Sequence, residues 1–118
     1  MSTPGTPRLE LLQGTLDLLI LRTLLLGRTH GHAIAKHIQR TSEDLLKVET
    51  GSLYPALHRL EARGRIASAW ELSETGKRAK YYRLTTVGRR QLQAEQTKWE
   101  TFCRAMGLVL SPLNEESL

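Results

Sequence analysis

The stretch Thr50-Gly-Ser-Leu-Tyr-Pro-Ala-Leu-His-Arg-Leu-Glu-Ala-Arg-Gly64 constrains this chain more than any other. Leu53, Leu57 and Leu60 recur at helical spacing with Ala56 beside them, and so make one apolar stripe. At about 100° per residue, Pro55, His58, Arg59 and Ala62 fall on the opposite side, with Ser52 and Tyr54 on the flanks. Proline disrupts a helix interior, so Pro55 places the helix start close before it, and Gly64 supplies the stop. The helix has an anchored back and a front of hydroxyls, an imidazole and a guanidinium. Such a front suits a groove, and it is equally the pattern of a solvated face. The segment after Gly64 discriminates between the two.

In Arg65-Ile-Ala-Ser-Ala-Trp-Glu-Leu72, Ile66, Trp70 and Leu72 share one side of a two-residue alternation, the signature of a half-buried strand. Ser73-Glu-Thr-Gly-Lys-Arg-Ala79 is polar with a central glycine, as a hairpin tip requires. Lys80-Tyr-Tyr-Arg-Leu-Thr85 returns as a second strand rich in aromatics. A helix followed by a two-stranded hairpin with a basic tip is a winged-helix arrangement. The helix enters a major groove, and the tip reaches a flanking groove or the phosphates.

Two helices are expected upstream. Thr15 is placed to cap the first, which runs to about Leu26. Leu16, Leu19, Ile20 and Leu24 make one face, and Leu18, Leu21 and Leu25 widen it. A helix apolar nearly all round is buried on two sides, one of them against a dimer mate. The second helix spans Ala33 to about Thr41, with Ile34 and Ile38 inward. Leu45 and Val48 are expected to anchor the link to the central helix. Two helices before a recognition helix make a helix-turn-helix variant.

Thr85 is placed to cap a last helix from Thr86 to about Leu108. Leu92, Trp99 and Met106 recur every seven residues, with Phe102 and Cys103 between them. About two heptads are too few for an independent coiled coil, so packing on a second copy is the expected cover for this stripe.

Bulk properties narrow the function. A chain of 118 residues is expected to form one domain with a small core, which dimerisation would help. The net charge of +5 fits a polyanionic partner, and Lys77, Arg78 and Lys80 concentrate charge at the hairpin tip. The single cysteine, Cys103, excludes an intramolecular disulfide framework and reads as a packed thiol. Residues 1–8 lack the apolar core of a signal peptide, and the run Leu16 to Leu26 is too short to span a bilayer. A cytoplasmic protein with no membrane partner is expected. His30, His32 and His37 have no local acidic or thiol partner, so no metal site or other cofactor is expected. Ser52 and His58 stand six apart on one helix, out of reach of each other, and no phosphate loop is present, which argues against an enzyme.

The residues also resemble a known family. Gly-Ser-Leu-Tyr-Pro-Ala-Leu-His-Arg-Leu-Glu at 51–61, Glu74-Thr-Gly-Lys-Arg-Ala-Lys-Tyr-Tyr-Arg-Leu-Thr85 and Gly88-Arg89 are similar to blocks of the PadR family of bacterial winged-helix transcriptional regulators. Gly14-Thr-Leu-Asp-Leu-Leu-Ile-Leu21 and His30-Gly-His-Ala-Ile-Ala35 resemble its first two helices. The likeness runs from about Leu11 to Phe102. His32 stands where the family usually has tyrosine, Arg65 where it has leucine, and Thr86 where it often has proline. The resemblance implies a short form with a single C-terminal dimerising helix, and no separate effector domain after it. Short PadR-like proteins bind planar hydrophobic compounds between those helices, which implies Trp99, Phe102 and Met106 as an effector platform.

Together these features set the expectations. The fold is mainly α with a small β-hairpin, a winged helix-turn-helix plus a C-terminal dimerisation helix. Residues 1–10 form a disordered arm, 11–85 the DNA-binding domain, 86–110 the dimerisation helix and 111–118 a flexible tail. The function is a sequence-specific homodimeric repressor on double-stranded operator DNA. Ser52, Tyr54 and His58 are expected in a DNA groove, with Thr50 near phosphate and Arg59 at phosphate or a guanine edge. Lys77, Arg78 and Lys80 hold phosphates or enter the minor groove, whereas Tyr81 and Tyr82 pack the wing. Leu92, Trp99, Phe102 and Met106 line the dimer and effector seam. The rival readings are a winged-helix protein–protein adaptor and a metal-responsive repressor. The clustered cations at the tip argue against the adaptor.

Overall fold

A computed structural model of the protein describes residues 14–112. The expected arm of residues 1–10 lies outside these, as does most of the expected tail, 113–118. The element order is α1 (Thr15–Leu25), β1 (Thr29–His30), α2 (Gly31–Thr41), α3 (Thr50–Ala62), β2 (Ile66–Leu72), β3 (Arg78–Leu84) and α4 (Thr86–Val109). The strands form one antiparallel sheet in the order β1-β3-β2. This is the expected winged helix-turn-helix, with a two-residue third strand added to the hairpin. So short a strand leaves no periodic signal in sequence.

The core is built around α1. Its Leu16, Ile20, Leu21 and Leu24 are buried with Ile34 and Ile38 of α2, Ile66 and Tyr82 of the sheet, and Leu92 of α4. The α3 stripe, Leu53, Ala56, Leu57 and Leu60, closes the cluster, and each of the four is no more than 2 % exposed. Two expectations about α1 change here. Its N-cap is Gly14 in a left-handed conformation, φ 87°, and Thr15 is the first helical residue. The other is narrowed: α4 of the same chain covers part of its second apolar side, while Leu18 and Leu19 are only partly buried and Leu25 and Leu26 are 39 % and 65 % exposed. Thr23, a polar group buried in this core, donates its hydroxyl proton to the Leu19 carbonyl at 2.8 Å.

Local chemistry explains the element ends. The His30 imidazole Nδ1 accepts from the Ala33 N–H at 3.2 Å, so α2 begins at Gly31, two residues before the expected start. The α2–α3 link is anchored by Leu46 and Val48, while Leu45 is turned out, because Glu43 and Asp44 take left-handed conformations that rotate the chain. Within that turn Ser42 Oγ accepts from Leu46 N–H, and Asp44 N–H donates to the Gln39 carbonyl. Helix α3 starts a turn earlier than Pro55 suggests, so the proline lies inside the helix. An interior proline costs about 3 kcal/mol. Burying Leu53, Leu57 and Leu60 at roughly 1.5–3 kcal/mol each outweighs that.

The wing departs from the expected half-buried strand. Ile66 is buried at its base, but Trp70 and Leu72 on the same face are 60 % and 70 % exposed, because the hairpin runs past the end of the core. Ser73 and Lys77 close the tip through Ser73 N–H to the Lys77 carbonyl at 2.7 Å, around Gly76 at φ 82°. Helix α4 begins as expected, with Thr85 Oγ1 accepting from the Gly88 N–H at 3.0 Å. The same hydroxyl donates to the Gly64 carbonyl, tying the start of α4 to the end of α3. Leu92 belongs to the core of its own domain. The exposed stripe of α4 therefore begins lower, at Trp99, and continues through Phe102 and Met106. Cys103, expected as a packed thiol, is exposed there, because this part of α4 extends beyond the other elements of its own chain.

Gly88 sets how closely α4 meets the base of the wing. A Cβ there would stand 2.0 Å from the Arg65 carbonyl oxygen, which is backbone and cannot swing aside. Gly88→Ala is expected to destabilise the domain by at least about 1–3 kcal/mol, the usual cost of overpacking. Urea unfolding of the two proteins checks this.

Candidate nucleic-acid interface

The buried stripe of α3 turns its opposite face outward. Thr50, Ser52, Tyr54 and His58 are all exposed on it. No side chain caps the α3 N-terminus: the Glu49 carboxylate makes no cap hydrogen bond and instead lies 3.8 Å from Lys47 Nζ. Ser52 N–H donates to the Glu49 carbonyl at 3.0 Å, which leaves the N–H groups of Thr50 and Gly51 for solvent or an anion.

Beside this face stands the wing. Pairing of Trp70 with Lys80 and of Leu72 with Arg78 puts all four side chains on the sheet face that continues from buried Ile66 and Tyr82. That face is turned toward α3: Ser68 Oγ donates to the Glu61 carboxylate, and Lys80 Nζ lies 3.7 Å from it. Between helix and wing runs an open groove of about 1020 Å³. Tyr54 and His58 line one wall, Trp70, Lys77, Arg78 and Lys80 the other, and Gly31 and His32 the end. A Cβ on buried Gly31 would come within 2.9 Å of the Tyr54 hydroxyl, so the phenol lies directly on the start of α2.

The expected site residues therefore fall into three groups. Tyr54, His58, Lys77, Arg78 and Lys80 converge on one groove. Thr50 and Ser52 sit on the exposed first turn of α3, outside the groove lining. Arg59, expected at phosphate or a guanine edge, is engaged within the protein: its guanidinium donates to Asp17 Oδ1 of α1 at 2.9 Å. The step of one residue along the helix carries it round from His58 toward α1. Lys80 is partly spent on Glu61 and the Tyr82 ring, whereas no acidic partner meets Lys77 or Arg78 among the described residues. Tyr82 is buried, and that burial pushes its phenol above the ordinary range, with Glu61 and Tyr54 adding to the effect. The ring is thus a neutral packing group beneath the groove.

Several groove and wing residues are not legible in the sequence. Trp70 alternates like a residue of a buried face, yet it lines the groove. Arg28 lies before β1, ion-pairs Glu71 and covers the Tyr81 ring at 5.1 Å, so it braces the outer face of the wing. His30 caps α2 and meets Tyr81 edge-on, with ring centroids 5.5 Å apart. These depend on β1 lying beside β3, which nothing in the local pattern discloses. His30 and His32 rings stack at 6.5 Å, and among the described residues no three His, Cys, Asp or Glu side chains are gathered as a metal would need.

Residues 20–94 match the transcriptional regulator PadR-like family. The chain belongs to that family. It is similar to a transcriptional regulator from Clostridium thermocellum, at 31% identity and TM-score 0.77, over 84% of this chain and 96% of that one. A PadR family transcription regulator from Clostridium difficile is 32% identical with TM-score 0.73, over 83% of this chain and all of the other (100%). The transcriptional regulator Rv3488 of Mycobacterium tuberculosis is 32% identical over 78 residues, 66% of this chain and 69% of that protein. The PadR-like fold and family make this chain a winged-helix, DNA-binding transcriptional regulator and not an enzyme. Among the described residues, no helix is long and apolar enough to cross a membrane.

The Arg59–Asp17 pair joins α3 to α1 at a half-exposed position. Surface pairs of this kind contribute about 0.2–1 kcal/mol. Arg59→Ala and Asp17→Ala are each expected to lower stability by no more than about 1 kcal/mol, and the double variant by less than their sum. A double-mutant cycle in urea measures this coupling.

Proposed function

We propose that the protein is a homodimeric repressor working in the cytoplasm, occupying a promoter operator through the α3 face and the wing. The single observation that carries this reading is the division of surfaces. The polar face of α3 and the cationic tip share one groove, while α4 carries an exposed apolar stripe beyond the domain core. Trp99, Phe102 and Met106 are 38 %, 49 % and 43 % exposed, and Leu108, Val109 and Leu110 are more so. The described residues extend 62 Å along their longest axis against 21 Å along the shortest, as expected of a helix that outruns its domain. A second copy covering that stripe removes its apolar surface from water and pairs two recognition helices about a two-fold axis.

In this reading Thr50 approaches phosphate at the α3 N-terminus, Ser52, Tyr54 and His58 meet base edges, and Lys77, Arg78 and Lys80 serve the backbone or the minor groove. Arg59 positions α3 through Asp17 and is the weakest candidate for a DNA contact. The seam also supports an effector site. Trp99 and Phe102 rings lie 5.8 Å apart at 34°, a pair of flat faces that a planar hydrophobic molecule could join. Binding there would change the angle between the copies and hence the spacing of the recognition helices.

Lys77→Ala with Arg78→Ala is expected to weaken binding to all DNA and to reduce the salt slope of log affinity by about 0.9 per lost phosphate contact. A mobility-shift series at rising salt measures this, and an unchanged slope would turn the tip away from DNA. Sedimentation is expected to give two chains per particle at micromolar concentration, with protected half-sites about one helical turn apart. Trp99→Asp is expected to dissociate the dimer, since a carboxylate loses hydration in an apolar seam. A tight-binding monomer on a single half-site would defeat the dimer reading. Planar aromatic compounds are expected to quench Trp99 saturably in a Trp70→Phe background, and the absence of saturation would leave Trp99 as packing.

A further inference from the structure

Trp70 has no place in the hydrophobic core. It stands on the wing face turned toward the groove, 60 % exposed, in a strand whose buried positions end at Ile66. Arg78, its diagonal neighbour on β3, lays its guanidinium over the indole at 5.3 Å from the ring centroid. Leu72 lies directly across from Arg78, 70 % exposed. The wing tip thus carries an arginine supported on a flat aromatic group, with an aliphatic group beside it. A tip meant only to attract phosphates has no use for the indole or the leucine.

We propose that Trp70 and Arg78 act as one unit that enters the DNA minor groove next to the recognition helix and selects a narrow, A·T-rich segment there. The inference rests on the wing being a DNA contact. Geometry supports it. An α-helix fits the major groove, about 12 Å wide, and the groove adjoining it along the duplex is the minor one. The strands run four residues beyond Ser68, about 13 Å at the usual rise, so the tip reaches past the edge of the domain. A guanidinium is drawn to the enhanced negative potential of a narrow A·T groove, and the guanine amino group in a G·C step obstructs it. Trp70 is the positioning residue. Its ring restricts the guanidinium to one direction without consuming its hydrogen-bond donors, because the face contact uses the π-cloud. Lys77, with no ring beneath it, remains a mobile cation suited to phosphate. Leu72 fills space against deoxyribose at the groove wall, as apolar side chains do in minor-groove binding.

The experiment takes an operator selected from random DNA by the wild-type chain. The base pairs beneath the wing are then made A·T, I·C or G·C. Inosine removes the minor-groove amino group and leaves the major-groove hydrogen-bonding edge unchanged. Wild-type protein is expected to bind the A·T and I·C versions alike and the G·C version about fivefold or more weakly, the scale of one unfavourable base pair. Trp70→Ala is expected to lose about two- to fivefold on the A·T version, the worth of an exposed cation–π contact, and to lose most of the discrimination. Trp70→Phe keeps a ring face and is expected to retain both. Arg78→Ala is expected to abolish the discrimination, and Arg78→Lys to keep the salt slope while losing much of it. Unfolding midpoints of all variants are expected to match the wild type, since these side chains are exposed. Trp70→Ala with undiminished discrimination overturns the inference, as does a wild type indifferent to the three versions. If the salt slope of Lys77→Ala with Arg78→Ala is also unchanged, the wing has failed as a DNA contact altogether. An intact slope response with undiminished discrimination in Trp70→Ala fails the minor-groove unit alone.

Discussion

The burial of α1 is the constraint on which the rest depends. An eleven-residue helix with so many leucines cannot satisfy itself with one neighbour, and here it touches α2, α3, β3 and α4. Each element that presents a functional side chain is thus referenced to the same rod. The α3 stripe is held so completely that an interior proline is tolerated in the helix that displays Tyr54 and His58. The Asp17–Arg59 pair adds a polar tie between the same two helices at the rim of that contact.

From this centre two elements are cantilevered. The wing is fixed at its base by Ile66, Tyr82 and Leu84, and its tip is stiffened by side chains of the sheet itself. Arg28 with Glu71 and Tyr81 holds one face, and Arg78 with Trp70 holds the other. Helix α4 is fixed by Leu92 against α1 and by Gly88 against the Arg65 carbonyl. Thr85 joins the two systems, since its hydroxyl caps α4 and also bonds the carbonyl at the end of α3. The start of α4 and the end of α3 are therefore joined directly by hydrogen bonds.

The electrostatics separate by position. Cations near the core are neutralised by specific partners, as Arg59 is by Asp17 and Lys80 by Glu61. Lys77 and Arg78 at the tip lack acidic partners among the described residues. An unpaired cation at a projecting tip keeps its hydration until a polyanion replaces it, so the charge of the tip remains available for association.

Much of this was legible in the residues. The 3.6-residue spacing of Leu53, Leu57 and Leu60, the two-residue alternation after Gly64 and the turn chemistry around Gly76 each determine local structure, because each arises from backbone geometry within a few residues. The same is true of the Thr85 cap. What the sequence could not assign was which partner each surface meets. Trp70 and Leu72 alternate like buried residues, yet the core ends before them. Leu92 reads as the start of the α4 stripe, yet α1 claims it. Arg59 reads as a free cation on the front of α3, yet Asp17, 42 positions earlier, lies beside it. The tertiary structure alone decided these, because burial and ion pairing depend on which elements the fold brings together, and periodicity records only that a face exists.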